Sequence, residues 1–199
     1  MSGILLTAFE PFDGWRVNSS QLCLERLSEL LAPQYDVTMR VYPVDFVAAR
    51  QALLHDLHRR PALALHLGQM QRSGCLELEQ RACNRGAQRG GAPFELEPQG
   101  EPHHFTTIPV AEWVRWLQQE GVPAAVSDDA GQYLCNAVYY WSLHHAARSP
   151  APHRALFVHL PLTPEQAAET AAAVPSLPPE VAARGVARLI EWFGSDRGG

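Results

Sequence analysis

The run Pro61-Ala62-Leu63-Ala64-Leu65-His66-Leu67-Gly68 decides the fold. Five of the six residues between the proline and the glycine are apolar, so the run reads as a short central strand ending at Gly68. Upstream, residues 45–59 carry helical spacing through Phe46, Ala49, Leu53 and Leu57, and residues 36–43 alternate like a strand. Residues 19–32 read as a helix opened by Asn18 or Ser19, with Leu22, Leu24, Leu27, Leu30 and Leu31 on its apolar side. Residues 3–9 read as a buried first strand.

Downstream, residues 75–83 alternate with period two and are predicted to form one strand. Residues 85–103, rich in Gly, Pro and Gln, are the least ordered-looking part of the chain. Pro109 starts a helix over 109–120. A short strand at 124–127, a helix at 133–147, a strand at 154–160 and helices at 164–173 and 178–193 complete the pattern. Such β-α-β alternation predicts an α/β fold, a three-layer α/β/α sandwich around a largely parallel (mixed) central sheet. Residues 1–194 form one domain in this reading, and residues 195–199 form a frayed tail.

The formal net charge of −5 argues against a nucleic-acid partner, which needs a basic footprint. No run approaches the ~20 apolar residues that span a bilayer. The start, Met1 to Phe9, lacks the basic segment and cleavage site of a secretory signal, so a cytoplasmic location with reduced thiols is expected. The four cysteines, Cys23, Cys75, Cys83 and Cys135, form no Cys-x-x-Cys pair, which argues against a zinc site. Cys75 and Cys83 flank the predicted 75–83 strand and could approach each other.

Ligands of open α/β sheets gather beyond the carboxyl ends of the strands. Phe9-Glu10-Pro11-Phe12, Gly68-Gln69, Cys135 and His159 all fall there. Cys135 enters a helix, and His159 lies twenty-four residues later at the end of a strand. A helix N-terminus and an imidazole both favour a thiolate, and can bring a cysteine pKa into the ~3.5–7.5 range.

These residues sit in blocks that resemble the pyroglutamyl peptidase I family, the pyrrolidone-carboxylate peptidases. The blocks are Thr7-Ala8-Phe9-Glu10-Pro11-Phe12 with Asn18; Glu79 with Asn84; Val126-Ser127 with Ala130-Gly131 through Cys135-Asn136; and Val158-His159-Leu160-Pro161 with Gln166. The resemblance runs from about residue 3 to about residue 190 and implies a phosphorylase/hydrolase-like fold. It also implies a cysteine peptidase that removes N-terminal pyroglutamate through an acyl-enzyme. Cys135 would be the nucleophile, His159 the base and then acid, and Glu79 the carboxylate orienting the histidine. Glu77 shares the face of Glu79. Glu79 is preferred because it stands five residues before Asn84, as the family's glutamate stands before its asparagine.

A pyroglutamyl ring is a small neutral lactam, so its site needs flat apolar walls and amide partners. Phe9 and Phe12 could supply the walls, with Tyr133 where relatives commonly have Phe. Asn18 and Gln69 are polar candidates, directly or by bracing the loop. Leu134 and Cys135 would offer backbone N–H groups to an oxyanion. The resemblance implies no metal and no cofactor, peptide substrates, no membrane, and a homo-oligomer, a dimer or tetramer. The segment Arg85 to Pro93 departs from the family's loop and looks shorter; Arg85 or Arg89 could replace the arginine that relatives carry there. Ala8, Asp13, Ser19 and Gln80-Arg81 are further departures. Two other readings share the scaffold: a non-catalytic binder of pyroglutamyl peptides or small lactams, and a nucleoside-phosphorylase-like enzyme.

Overall fold

The computed structural model describes residues 3–33 and 35–195. Its main sheet contains β1 (Ile4–Phe9), β2 (Val37–Tyr42), β3 (Leu63–Met70), β4 (Leu76–Glu79), β7 (Ala124–Ser127) and β8 (Arg154–Pro161). Their spatial order is β2-β1-β3-β8-β4-β7, and only the β4–β8 pairing is antiparallel. The sheet is therefore mixed and mostly parallel, as predicted. The end of the tail, residues 196–199, lies outside the described residues, and Ser195 closes the last helix.

Period-two alternation sends successive side chains of each strand to opposite faces. Leu63, Leu65 and Leu67 of β3 join one hydrophobic cluster with α1 (Ser19–Leu30), α3 (Val110–Gln119) and α6 (Pro179–Ser195). Ala64 of β3, with Ala155 and Phe157 of β8, joins the other with α2 (Phe46–Leu57) and α4 (Leu134–Arg148). Two apolar faces with helices on each give the three layers.

Asn18, not Ser19, caps α1: its Oδ1 accepts from the Ser20 N–H at 3.0 Å. Two expected elements are shorter than their patterns. The 75–83 stretch is two strands, β4 and then β5 (Arg81–Cys83), which pairs with β6 (His103–Phe105) in a separate two-stranded sheet. The change falls at Gln80, whose N–H donates to the Ser127 carbonyl at 2.7 Å and whose carbonyl accepts from the Thr106 N–H at 3.0 Å. The helix expected at 164–173 is α5 (Pro164–Ala168), opened by a capping box between Thr163 and Gln166. The Thr170 hydroxyl is drawn to the carbonyls of Ala167 and Ala172 instead of continuing the helix.

The segment 85–103 has a definite course. Gly86 and Phe94 exchange backbone hydrogen bonds at 2.8 and 2.7 Å, and the Asn84 side chain ties Glu97 and Gly100. All four cysteines are free, so Cys75 and Cys83 form no disulfide.

His66 is wholly buried on β3, with Nδ1 at 2.8 Å from the Thr7 hydroxyl. Burial, helped by His153, lowers its pKa from 6.5 to about 3, and burial with His145 lowers that of His153 to about 4. The unfolded chain therefore binds more protons than the folded one once the pH drops below 6.5. Stability present above that pH falls with acidification by about 1.4 kcal/mol per pH unit for each histidine. Urea unfolding at about pH 7.5 and about pH 5 is expected to show this loss, with a shallower slope for His66→Asn.

Candidate active site

The site forms where the carboxyl ends of β3 and β8 meet the oppositely directed β4 beside the start of α4. In the β3–β8 ladder Gly68 stands opposite His159, and in the β8–β4 ladder His159 stands opposite Glu77, with Glu79 opposite Phe157. The hydrogen bond nevertheless goes to the diagonal residue: His159 Nδ1 lies 2.7 Å from Glu79 Oε1. His159 is 2% exposed and Glu79 is fully buried. Glu77, only half-buried, has its carboxylate beside both. The Tyr139 hydroxyl donates to the Glu79 carbonyl at 2.8 Å, holding the end of β4 against α4.

Cys135 occupies the first turn of α4, whose N-cap Tyr133 supplies no side-chain cap. The backbone N–H groups of Leu134, Cys135 and Asn136 have no hydrogen-bond partner among the described residues, the ordinary condition of an uncapped helix start. The Cys135 thiol lies close enough to the His159 ring to act on its charge. Burial opposes charge on that imidazole, but hydrogen bonds and Coulomb attraction from Cys135 and Glu79 outweigh it and push the His159 pKa up to about 10. Phe157 packs 4.8 Å from the His159 ring, centroid to centroid.

Asn136, quoted in a motif but given no role by the sequence, locks this helix start in place. Its Nδ2 donates to the carbonyls of Cys83 at 2.9 Å and Arg85 at 2.8 Å, and its Oδ1 accepts from the Cys83 N–H at 2.8 Å. Gln166 is a second such residue. It donates to the Val17 carbonyl at 3.1 Å and to Gln69 Oε1 at 2.8 Å.

The remaining candidates fall into two groups. Phe12 and Tyr133 line a cavity of about 660 Å³ with Pro11, Val44, Ala87 and Gln132. Asp13 and Arg89 form an ion pair at its rim, while Arg85 is exposed and contributes a carbonyl to Asn136. Phe9 and Leu134 are instead buried in the α2–α4 core and do not line this cavity. Asn18 and Gln69 brace the surrounding segments. Asn18 Nδ2 donates to the Glu10 carbonyl at 3.1 Å, and Gln69 Oε1 accepts from the Ser19 N–H at 2.8 Å. Beyond His66, β3 runs on to Met70 with no β1 residue registered against it, and Leu67, Gly68 and Gln69 are buried there.

A thiol, an imidazole and a buried carboxylate in series, next to unpartnered amides at a helix start, define the arrangement of a cysteine hydrolase. The family model of pyroglutamyl peptidase matches residues 2–193. A pyrrolidone-carboxylate peptidase of Pyrococcus furiosus is 35% identical over 82% of this chain and 82% of its own. One from Brevibacillus brevis is 32% identical over 96% of this chain and 92% of its own. Among solved structures, the pyrrolidone carboxyl peptidase of Fervidobacterium islandicum superposes with a TM-score of 0.90 at 32% identity, covering 98% of this chain and 99% of that one. The chain belongs to the pyroglutamyl peptidase family.

Asn136→Ala leaves three backbone groups unpaired and is expected to destabilise the fold by on the order of 3 kcal/mol, read by urea unfolding.

Proposed function

We propose that this protein is a cysteine exopeptidase that hydrolyses the bond after an N-terminal pyroglutamyl residue. The buried Glu79–His159 hydrogen bond, with the Cys135 thiol on the same imidazole, carries the reading. The Cys135 thiolate attacks the pyroglutamyl carbonyl carbon, and the charge moves to the carbonyl oxygen. N–H groups at Leu134 and Cys135 receive that oxyanion, each typically worth ~2.7–4 kcal/mol of barrier. The C–N bond then breaks as the His159 imidazolium gives its proton to the departing amine. A water, deprotonated by His159, attacks the thioester; the C–S bond breaks and 5-oxoproline leaves. Glu79 holds the imidazole in one tautomer and stabilises its charge throughout.

The cavity between Phe12 and Tyr133 suits a flat neutral ring. Four free thiols fit a reducing, cytoplasmic setting. Among the described residues no helix is long and apolar enough to cross a membrane. The homo-oligomer implied by the family resemblance belongs to the same reading, and light scattering on the purified protein checks it.

A pyroglutamyl chromogenic amide is expected to be cleaved and an alanyl amide left intact. Cys135→Ser and thiol alkylation are expected to abolish turnover, and EDTA to leave it unchanged. Turnover by folded Cys135→Ser, or binding of the amide without turnover by the wild type, overturns the reading. Glu79→Gln is expected to lower kcat about 10²–10⁴-fold, with a much smaller effect from Glu77→Gln. Because Glu79 helps hold the His159 pKa up at about 10, the wild-type rate should fall on the alkaline side near that pH. In Glu79→Gln that alkaline limb should move to lower pH.

A further inference from the structure

Gly68 sits buried within β3, where glycine is an unfavourable choice because it loses more backbone freedom on folding than alanine and packs no side chain. Its backbone gives no reason for it. The described glycines with positive φ are Gly14, Gly90, Gly121 and Gly131, and Gly68 is not among them. The reason is space. A Cβ at Gly68 would lie 2.9 Å from the Cys135 sulfur, and 2.7 and 2.9 Å from Cζ and Cε1 of Phe157. All three distances are shorter than real Cβ contacts, so something would have to move.

We infer that Gly68 is a positioning residue for the nucleophile: its bare backbone is the seat that holds the Cys135 sulfur beside His159. The seat and the imidazole are neighbours, because Gly68 and His159 are opposite one another in the β3–β8 ladder. The neighbouring elements leave the sulfur no second way to reach the ring. Asn136, the next residue on α4, is bonded to Cys83 and Arg85, so the helix start cannot retreat from the sheet as a unit. Phe157 cannot sink, because its ring is packed against Tyr139 at 5.9 Å, Phe9 at 6.5 Å and His159 at 4.8 Å. An added methyl would therefore turn the sulfur about its own Cα–Cβ bond, away from the imidazole. Substrate would still bind, since the Phe12–Tyr133 cavity does not include Gly68.

This inference rests on Cys135 as the nucleophile, and its test separates the two. Wild type, Gly68→Ala, Cys135→Ala and the double variant are compared by thermal unfolding, and the two proteins that retain Cys135 by kcat and KM on a pyroglutamyl amide. Gly68→Ala is expected to lower kcat about 10²-fold while KM stays within about threefold, the pattern of a displaced reacting atom. Its loss in Tm should be clearly smaller in the Cys135→Ala background, where no sulfur meets the new methyl, although the Phe157 contact remains. Should Gly68→Ala fail to fold alone, folding of the double variant supports the sulfur seat, and failure of both overturns it. Wild-type kcat in Gly68→Ala, or an equal Tm loss in both backgrounds, also overturns it. If Cys135→Ser is inactive while Gly68→Ala is fully active, only this inference falls; if Cys135→Ser is active, the assignment of the nucleophile falls first.

Discussion

The hydrogen bond between His159 and Glu79 joins two strands that run in opposite directions, and the rest of the site is arranged around that meeting. Both groups are almost wholly removed from water, at 2% and 0% exposure. A carboxylate buried without a partner is strongly disfavoured, and breaking a buried pair by removing one member typically costs ~3–5 kcal/mol. The antiparallel insertion of β4 between β8 and β7 is what brings the carboxylate in. β4, which with β7 runs opposite to the other four strands, delivers it from rigid backbone. The Tyr139 hydroxyl on the Glu79 carbonyl then anchors the end of that strand to the helix bearing the thiol.

Much of this fold could be read in the residues. The runs at β3 and β8 are apolar at most positions, and α1, α2 and α4 carry helical spacing that survives in the structure. Cys135 and His159 were legible as a pair because each falls at a strand-to-helix edge. The choice of Glu79 over Glu77 was not legible from periodicity, since residues two apart on a strand share a face. It came from resemblance, and the diagonal contact across β4 and β8 supplies the geometric account.

Other features depend on contacts that no local pattern encodes. Alternation continues smoothly through Gln80, yet the strand changes sheets there because Ser127 and Thr106 take its backbone groups. Asn136 and Gln166 are ordinary polar residues on helices until their partners, 53 and 149 residues away, are known. The same holds for Arg89 against Arg85: both lie on one polar stretch, and only the path of the chain brings Arg89 to Asp13 at the cavity rim. Phe9 and Phe12 look alike in sequence, but the first continues β1 into the core while the second lies past its end.

The three bonds made by Asn136 divide the stretch after β5 into two mechanical zones. Up to Ala87 the backbone is bolted to the start of the helix that presents the sulfur, through Asn136 and through the Ala87 N–H donating to the Gln132 carbonyl at 2.7 Å. Past the Gly86–Phe94 pair, a change in length is taken up on the far side of that clamp. Insertions and deletions there can reshape the cavity wall that this segment supplies while leaving the reacting atoms undisturbed. A lineage can therefore retune what it trims without rebuilding how it cuts, and residues 88–93 of the divergent segment of this chain lie in the permissive zone.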